Sequence, residues 1–289
     1  MRFSYAESMC DPTQYAPLAT AAEASGWDSF VVPDSLCYPE VSDSRYPYTD
    51  DGSREFLADK PFLDPFALIS SLGAITERLR FTTFVLKLPI RSPVLVAKAA
   101  CSVAVLTRDR LGLGVGLSPW PEDFEVTGTD WATRGPRMDE IIAIVRGLAR
   151  GGFFSFRGAH YDIPSIRMNP VPSRPIPVLI GGHAEPALRR AARLGDGWMH
   201  AGGDRAALVA AIARLRELLR EYGREREPFE VHAIALDAYS VDGVRRLEEL
   251  GVTDVIVGFR NSYERDTQTL QHKLDALRGY ADRVIAKVR

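Results

Sequence analysis

Short apolar runs along the chain alternate with longer segments whose apolar residues recur at helical spacing. The runs predict strands and the longer segments predict helices, with one helix after each strand. The predicted strands are 2–6, 28–32, 80–86, 111–116, 177–181, 196–200, 229–236 and 253–258. The predicted helices are 13–25, 64–75, 92–106, 134–149, 185–194, 204–222, 241–250 and 265–282. Strands that alternate with helices indicate a parallel sheet.

One junction recurs at three places in the chain. A helical segment ends at a glycine, an aspartate follows within a few residues, and an apolar strand begins, as at Gly26, Gly195 and Gly251. The eight predicted strands, each followed by a helix, make eight βα units in a chain of 289 residues. They predict an α/β fold, a (β/α)8 TIM barrel with one domain over 1–289. A doubly wound open sheet is the alternative.

Two segments interrupt the alternation. Residues 33–63 are too long for an ordinary connection, and we expect a lid over the substrate pocket. This segment is rich in aromatic and acidic residues, namely Asp34, Tyr38, Tyr46, Tyr48, Asp50, Asp51, Phe56 and Phe62. Residues 151–176 predict an aromatic hairpin. We expect both insertions to lie over the C-terminal mouth of the barrel, where the active sites of such barrels are found.

Charge and cysteine content narrow the classes of partner. The 36 basic and 38 acidic residues give a net charge of −2, which argues against binding to nucleic acid or to an anionic membrane. The three scattered cysteines are typical of a reducing compartment, so we expect a cytoplasmic protein. No apolar run has the roughly 20 residues that a membrane helix needs.

A strand followed by Gly181, Gly182 and a helix is the clearest candidate for a binding site. Glycines at such a turn let backbone N–H groups approach a ligand, and the N-terminus of a helix favours an anion. The pattern therefore predicts a site for a phosphate-bearing cofactor, with a simple tight turn as the alternative.

Other candidates lie at the ends of predicted strands. Asp34 follows the second strand and is expected to bind a ligand or to cap a loop, and Lys87 follows the third and is expected near an anionic group or in solvent. The alternate glycines of 111–116 do not have dinucleotide spacing and are expected to leave room for a flat ring.

The histidines do not have the spacing of a metal site, so no metal is predicted. His183 and His200 are expected either to face a cofactor ring or to be structural. There is also no G-x-S-x-G nucleophile elbow. A pocket for a flat cofactor without a protein nucleophile favours redox chemistry carried out by the cofactor.

Several motifs together resemble the bacterial luciferase-like superfamily, and within it the coenzyme F420-dependent oxidoreductases of the actinobacterial "probable F420-dependent oxidoreductase" subgroup. The matching segments are Ser25-Gly-Trp-Asp28, Pro33-Asp34, Thr76-Glu-Arg-Leu-Arg80, Leu88-Pro89, Pro93-Val94, Ala97-Lys98, Gly112-Leu-Gly-Val-Gly116, Arg134-Gly-Pro-Arg-Met-Asp-Glu140, Gly158 to Tyr161, Ile180-Gly-Gly-His183 and Leu194-Gly-Asp-Gly-Trp198.

The resemblance implies a barrel that is usually dimeric, with the cofactor ring in the mouth and its phosphate on the Gly181–Gly182 turn. It also implies a bulged third strand with a non-prolyl cis peptide near Phe84. The cofactor-binding residues expected on this basis are Asp34, Thr83, Phe84, Val85, Gly116, Ser118, Gly181, Gly182, His183, Ala201 and Gly202. Some relatives have a catalytic histidine directly after the aspartate, where this chain has Ser35. The catalytic acid or base is therefore not assigned, and its candidates are Asp34, Ser35, Lys87 and His200.

The function predicted from these observations is an F420-dependent oxidoreductase. It would transfer a hydride between C5 of the deazaflavin and a small organic substrate. The alternatives are a monooxygenase that uses reduced FMN and O2, and a non-catalytic flavin-binding protein. We expect a homodimer and a small-molecule substrate.

Overall fold

Eight parallel strand positions close into a barrel in the computed structural model, which describes residues 1–42, 44–46, 49 and 51–289. The strands β1 to β11 span Arg2–Ala6, Ser29–Val32, Arg80–Thr83, Leu86–Lys87, Leu111–Gly116, Phe153–Arg157, Asp162–Arg167, Val178–Gly181, Gly197–His200, Glu230–Ala233 and Asp254–Val257. The barrel order is β1, β2, β3, β5, β8, β9, β10 and β11, and β11 pairs with β1. The predicted α/β TIM barrel is therefore confirmed.

The helices lie between the barrel strands and pack on their outer faces. Helices α1 to α10 span Tyr15–Ala24, Pro65–Ala74, Pro93–Leu106, Pro121–Val126, Arg134–Ala149, Glu185–Leu194, Arg205–Glu221, Val241–Leu250, Leu270–Tyr280 and Ala286–Val288. Short polar residues cap the N-termini of several helices. At α2, the carboxylate of Asp64 accepts from the backbone N–H groups of Phe66 and Ala67. Helix α4 was not predicted from the sequence. Within the described residues, no helix is long and apolar enough to cross a membrane.

The barrel interior is layered. Its middle is filled by Val31, Leu179, Met199 and Ile256, each at most 1% exposed. The apolar middle layer separates the strand starts from the strand ends, so each end of the barrel has its own polar environment.

The third strand differs from the prediction of one continuous run over 80–86. It is divided into β3 and β4 by a cis peptide bond between Phe84 and Val85. The cis bond lies where the family resemblance implied it. The two parts both pair with β5, through Phe81 and Thr82 at one end and Leu86 and Lys87 at the other.

The glycines of β5 do not leave room for a cofactor ring, so that expectation was wrong. A Cβ on Gly114 would lie 1.9 Å from the carbonyl oxygen of Thr83 and 2.5 Å from the sulfur of Met199. A Cβ on Gly116 would lie 2.7 Å from Cγ2 of Val85. The space is therefore occupied by the irregular third strand, which approaches β5 closely because β5 lacks side chains there.

The aromatic hairpin is present, as β6 and β7, but its predicted place over the mouth was wrong. Its tip is held on α5, where Glu140 accepts from the N–H groups of Ala159, His160 and Tyr161. Near its base, the ring of Phe154 lies against Gly147 of α5. The physical reason is connectivity: this segment joins a helix to the next strand, so it leaves from the end of the barrel opposite the mouth.

The close approach of β3 and β5 predicts the effect of Gly114→Ala. We expect the added methyl group to lower the free energy of unfolding by about 3 kcal/mol, because the backbone of Thr83 cannot move away without breaking the barrel. The measurement is urea unfolding of both the variant and the unmodified protein. Gly112→Ala is the matched control, since its Cβ would lie 3.2 Å from the Thr82 hydroxyl, a side chain that can rotate. An equal decrease in the free energy of unfolding in the two variants would contradict the idea that the close approach of β3 requires glycine at position 114.

Candidate functional site

Asp34 lies directly after β2 and connects it to the third strand. Its Oδ2 accepts from the backbone N–H of Lys87 at 2.9 Å, and its Oδ1 accepts from Nη2 of Arg91 at 2.8 Å. The carboxylate side chain is only 1% exposed. Both oxygens therefore have protein donors, and Asp34 holds the chain that follows the cis peptide. Its contact with a cofactor stays a prediction.

The ammonium group of Lys87 is buried between Asp123 and Ser35. Its Nζ donates to Oδ2 of Asp123 at 2.7 Å and lies 3.4 Å from the hydroxyl of Ser35. The same Asp123 oxygen accepts from Ser118 at 2.5 Å. Three of the residues predicted from the sequence, Ser35, Lys87 and Ser118, are thus brought together by Asp123.

Asp123 was missed by the sequence analysis because it lies in α4, which was not predicted. The Lys87 and Asp123 side chains are 7% and 2% exposed. Two charges are removed from water here, so each depends on the other for its stabilisation.

The irregular third strand places Val85 between the ends of β5 and β8. Val85 lies against Gly116 on one side and Gly181 on the other, where Cβ atoms would come within 2.7 and 3.0 Å of its methyl groups. Thr83 is fully buried, and its hydroxyl donates to the carbonyl of Gly114 at 2.6 Å. Of the predicted residues, Val85 and Gly116 are therefore in contact, Thr83 and Gly116 are buried, and Phe84 and Val85 are half-buried.

The Gly181–Gly182 turn joins β8 to α6, as predicted. Gly182 has a φ of +121°, and a Cβ there would lie 2.9 Å from Cβ of Ala187. Helix α6 begins without a side-chain cap, so its first N–H groups are not used by a side chain of its N-cap residue, Ala184. The acidic residue in the first turn, Glu185, is bound by Arg214, which lowers its pKa and offsets its charge.

The turn geometry fits a phosphate group. The helix start supplies the positive end of the helix dipole and the N–H of Glu185, because Pro186 has no N–H and Ala187 donates to the carbonyl of Ala184. A second glycine pair follows β9, where Gly202 and Gly203 have φ values of +99° and +132°. A Cβ on either residue would meet no atom closer than 3.7 Å, so these glycines leave open space at the mouth.

Two histidines stack between the glycine turns. The rings of His183 and His200 are 4.7 Å apart at 25°. Burial lowers the pKa of both, and for His200 the neighbouring His183 lowers it further. The backbone N–H of Ala201 donates to Nε2 of His183 at 3.1 Å, which requires that nitrogen to be unprotonated. The pair is therefore neutral at pH 7, and it brings the predicted His183, His200, Ala201 and Gly202 together.

The described residues of the 33–63 segment extend from β2 to the loops at the mouth, as predicted. The ring of Tyr46 stacks on Trp120, with centroids 5.2 Å apart, and also contacts Tyr263. The guanidinium of Arg54 lies 4.1 Å above the Trp120 ring and 3.3 Å from Glu122. The segment thus bridges the loops after β5 and β11. Tyr48 and Asp50 lie outside the described residues.

A cavity of about 600 Å³ lies among the loops that follow β1, β2 and β11. It is enclosed by the 33–63 segment, the loop after β1 and the loop after β11. Its lining residues are Met9, Asp11, Glu55, Phe56, Asp59, Lys60, Pro61, Tyr263, Arg265 and Asp266. The cavity has the size of a small-molecule site, but none of the predicted cofactor-binding residues lines it.

The sequence profile of a family described as luciferase-like monooxygenase matches residues 4–272. The chain belongs to the luciferase-like monooxygenase family. This luciferase-like chain is 59% identical over 290 residues to an uncharacterised protein of Mycobacterium tuberculosis, with all of both chains covered. It is 28% identical over 197 residues to an F420-dependent glucose-6-phosphate dehydrogenase of Tsukamurella paurometabola, covering 66% of this chain and 54% of the relative.

Among solved structures, coenzyme F420-dependent tetrahydromethanopterin reductase from Methanopyrus kandleri shares the fold. Its TM-score is 0.77 at 14% identity, and the alignment covers 100% of this luciferase-like chain and 99% of that one. The luciferase-like family is one of flavin- and deazaflavin-dependent oxidoreductases.

The buried Lys87–Asp123 pair predicts that Asp123→Asn is strongly destabilising. The substitution leaves the Lys87 ammonium without a counter-charge, so we expect the free energy of unfolding to fall by about 3–5 kcal/mol. Asp162→Asn is the control, because its exposed pair with Arg157 is worth at most about 1 kcal/mol. The measurement is denaturant unfolding. Replacing both charges, as Lys87→Met with Asp123→Leu, should recover most of the loss, and failure to recover it would contradict the assignment to an unpaired charge.

Proposed function

We propose that this protein is a deazaflavin-dependent oxidoreductase that transfers a hydride between coenzyme F420 and a small organic substrate. The observation that carries the proposal is the Gly181–Gly182 turn before an uncapped helix, next to the irregular third strand at the same barrel mouth. The 28% identical dehydrogenase, whose name states F420 dependence, favours the deazaflavin over FMN.

The residues around the mouth divide into two groups by what they would hold. The phosphate would lie on the turn at Gly181 and Gly182, with the open glycine pair after β9 beside it. The ring would lie along the surface made by Phe84 and Val85. When bound there, the deazaflavin supplies a C5 position that gives or accepts a hydride.

The protein must also handle the proton that accompanies a hydride transfer. Ser35 is half-buried at the mouth, and its hydroxyl lies 3.4 Å from Nζ of Lys87, which is bound to Asp123. Ser35 stands where some luciferase-like relatives have a histidine. We assign the exchange of that proton to the Ser35 hydroxyl, with Lys87 as the positioning residue behind it.

The second candidate is an FMN-dependent monooxygenase, which the family description itself names. The same turn would hold the FMN phosphate. Titration of the purified protein with F420 and with FMN separates the two candidates. Binding of F420 at least about tenfold tighter than FMN supports the proposal, since that ratio corresponds to about 1.4 kcal/mol. The reverse order supports the monooxygenase, and failure to bind either would overturn both.

The phosphate turn predicts the effect of Gly182→Val on cofactor affinity. A side chain at this positive φ would distort the turn and fill the space that the phosphate needs, so we expect at least about tenfold weaker F420 binding, or about 1.4 kcal/mol. Gly223→Val is the matched control, because Gly223 also has a positive φ but lies at the end of α7, with no atom near its Cβ. Unchanged affinity in a folded Gly182→Val variant would place the phosphate elsewhere.

The bridge formed by residues 33–63 predicts a separate effect on turnover. Tyr46→Ala removes the ring that stacks on Trp120, so the lid should lose part of its contact with the loop after β5 and keep the contact through Arg54. We expect a higher KM or a lower kcat, with F420 affinity unchanged. Phe153→Ala in the hairpin, where the side chain is 78% exposed, is the control for removal of an aromatic side chain. Unaltered steady-state kinetics for Tyr46→Ala would show that the segment is not a lid.

A further inference from the structure

A second cavity, of about 270 Å³, lies at the opposite end of the barrel from the mouth. Arg2 and Arg80 begin β1 and β3, and Asp28 directly precedes β2, so the cavity is framed by the starts of three adjacent strands. Its lining residues are Arg2, Glu23, Gly26, Trp27, Asp28, Arg78, Arg80 and Arg289. Four of these eight side chains are guanidinium groups.

The two acidic residues in this cavity already have donors. Glu23 accepts from the backbone N–H groups of Glu77, Arg78 and Leu79. Asp28 accepts from the backbone N–H of Phe3 at 2.8 Å and from Arg289 at 2.7 Å. Their hydrogen-bonding capacity is therefore largely used within the protein.

The donors in the cavity, by contrast, outnumber the acceptors. Within the described part of the chain, Arg78 and Arg80 make no side-chain hydrogen bond or ion pair. Two buried N–H groups, Nε of Arg2 and Nε1 of Trp27, also have no hydrogen-bond acceptor there. Buried donors are nearly always satisfied in folded proteins, so the orphaned N–H groups of Arg2 and Trp27 mark this region as rich in donors. The guanidinium groups of Arg78, which is exposed, and of Arg80, which is half-buried, face the same cavity without a protein acceptor.

Charges just beyond the cavity do not remove this excess. Arg2 is held through Nη2 by Glu230 at 2.6 Å. Its Nε is 3.4 Å from Asp254 but makes no hydrogen bond with it. Both carboxylates face Arg2 from β10 and β11. Among the described residues, neither Arg78 nor Arg80 forms an ion pair, although the charge of Arg78 acts on Glu23.

We propose that this cavity binds a small oxyanion of the size and charge of phosphate. Guanidinium groups match the geometry of oxyanions through paired N–H donors, and an anion in the cavity would supply the acceptors that Arg78 and Arg80 lack within the protein. This site is distinct from the Gly181–Gly182 turn, since the apolar middle layer of the barrel separates the two ends. It does not depend on which cofactor the mouth binds.

The test is calorimetric titration of the whole protein with inorganic phosphate at constant ionic strength, with chloride as the control anion. The parent and every variant in this titration carry Gly182→Val, so that phosphate cannot bind at the Gly181–Gly182 turn. We expect saturable phosphate binding that becomes at least about tenfold weaker in Arg78→Gln with Arg80→Gln. Arg157→Gln in the exposed hairpin is the matched control and should bind as its parent does.

Arg78→Gln alone is the second variant in case the double variant does not fold, because Arg78 is exposed and bears no protein contact that the fold needs. It should weaken phosphate binding in the same direction. Absence of saturable binding in the parent, or equal affinity in the parent and both arginine variants, would overturn the proposal.

Discussion

The bridge from Asp34 to the chain after the cis peptide is the contact on which the barrel mouth depends. Asp34, at the end of β2, binds the backbone of Lys87 and the guanidinium of Arg91. Both of these residues follow the irregular part of the third strand. The third strand can therefore leave the regular sheet at Phe84 and return to it two residues later. β5 makes this possible from the other side, because its glycines admit the displaced backbone.

The same bridge determines where the charged groups of the mouth lie. Once the backbone of Lys87 is fixed, its ammonium group points to Asp123 in α4, and Asp123 in turn holds Ser118. Each of these groups is removed from water, so none is stable without its partner. An arrangement in which each polar group depends on the next is suited to hold a cofactor ring and a proton-exchanging hydroxyl in constant positions.

The two ends of the barrel have different chemistry because its middle is apolar. At the mouth, backbone N–H groups at glycine turns and a neutral histidine pair face the ligand region. At the strand starts, guanidinium groups predominate and several buried donors have no acceptor. Under the proposed function, the first arrangement would hold the cofactor. The second belongs to this chain's own residues.

The pattern of apolar runs and glycine-ended helices was sufficient to predict the barrel, because alternation of strands and helices leaves few ways to close a parallel sheet. The glycine pair at 181–182 likewise predicted a turn whose geometry is local. The sequence could not show that the hairpin leaves from the end of the barrel opposite the mouth. Nor could it show that Val85 and Met199 fill the space beside the β5 glycines, or that Asp123 pairs with Lys87. These features depend on contacts between residues distant in the chain, and only closure of the barrel decides which side chains meet.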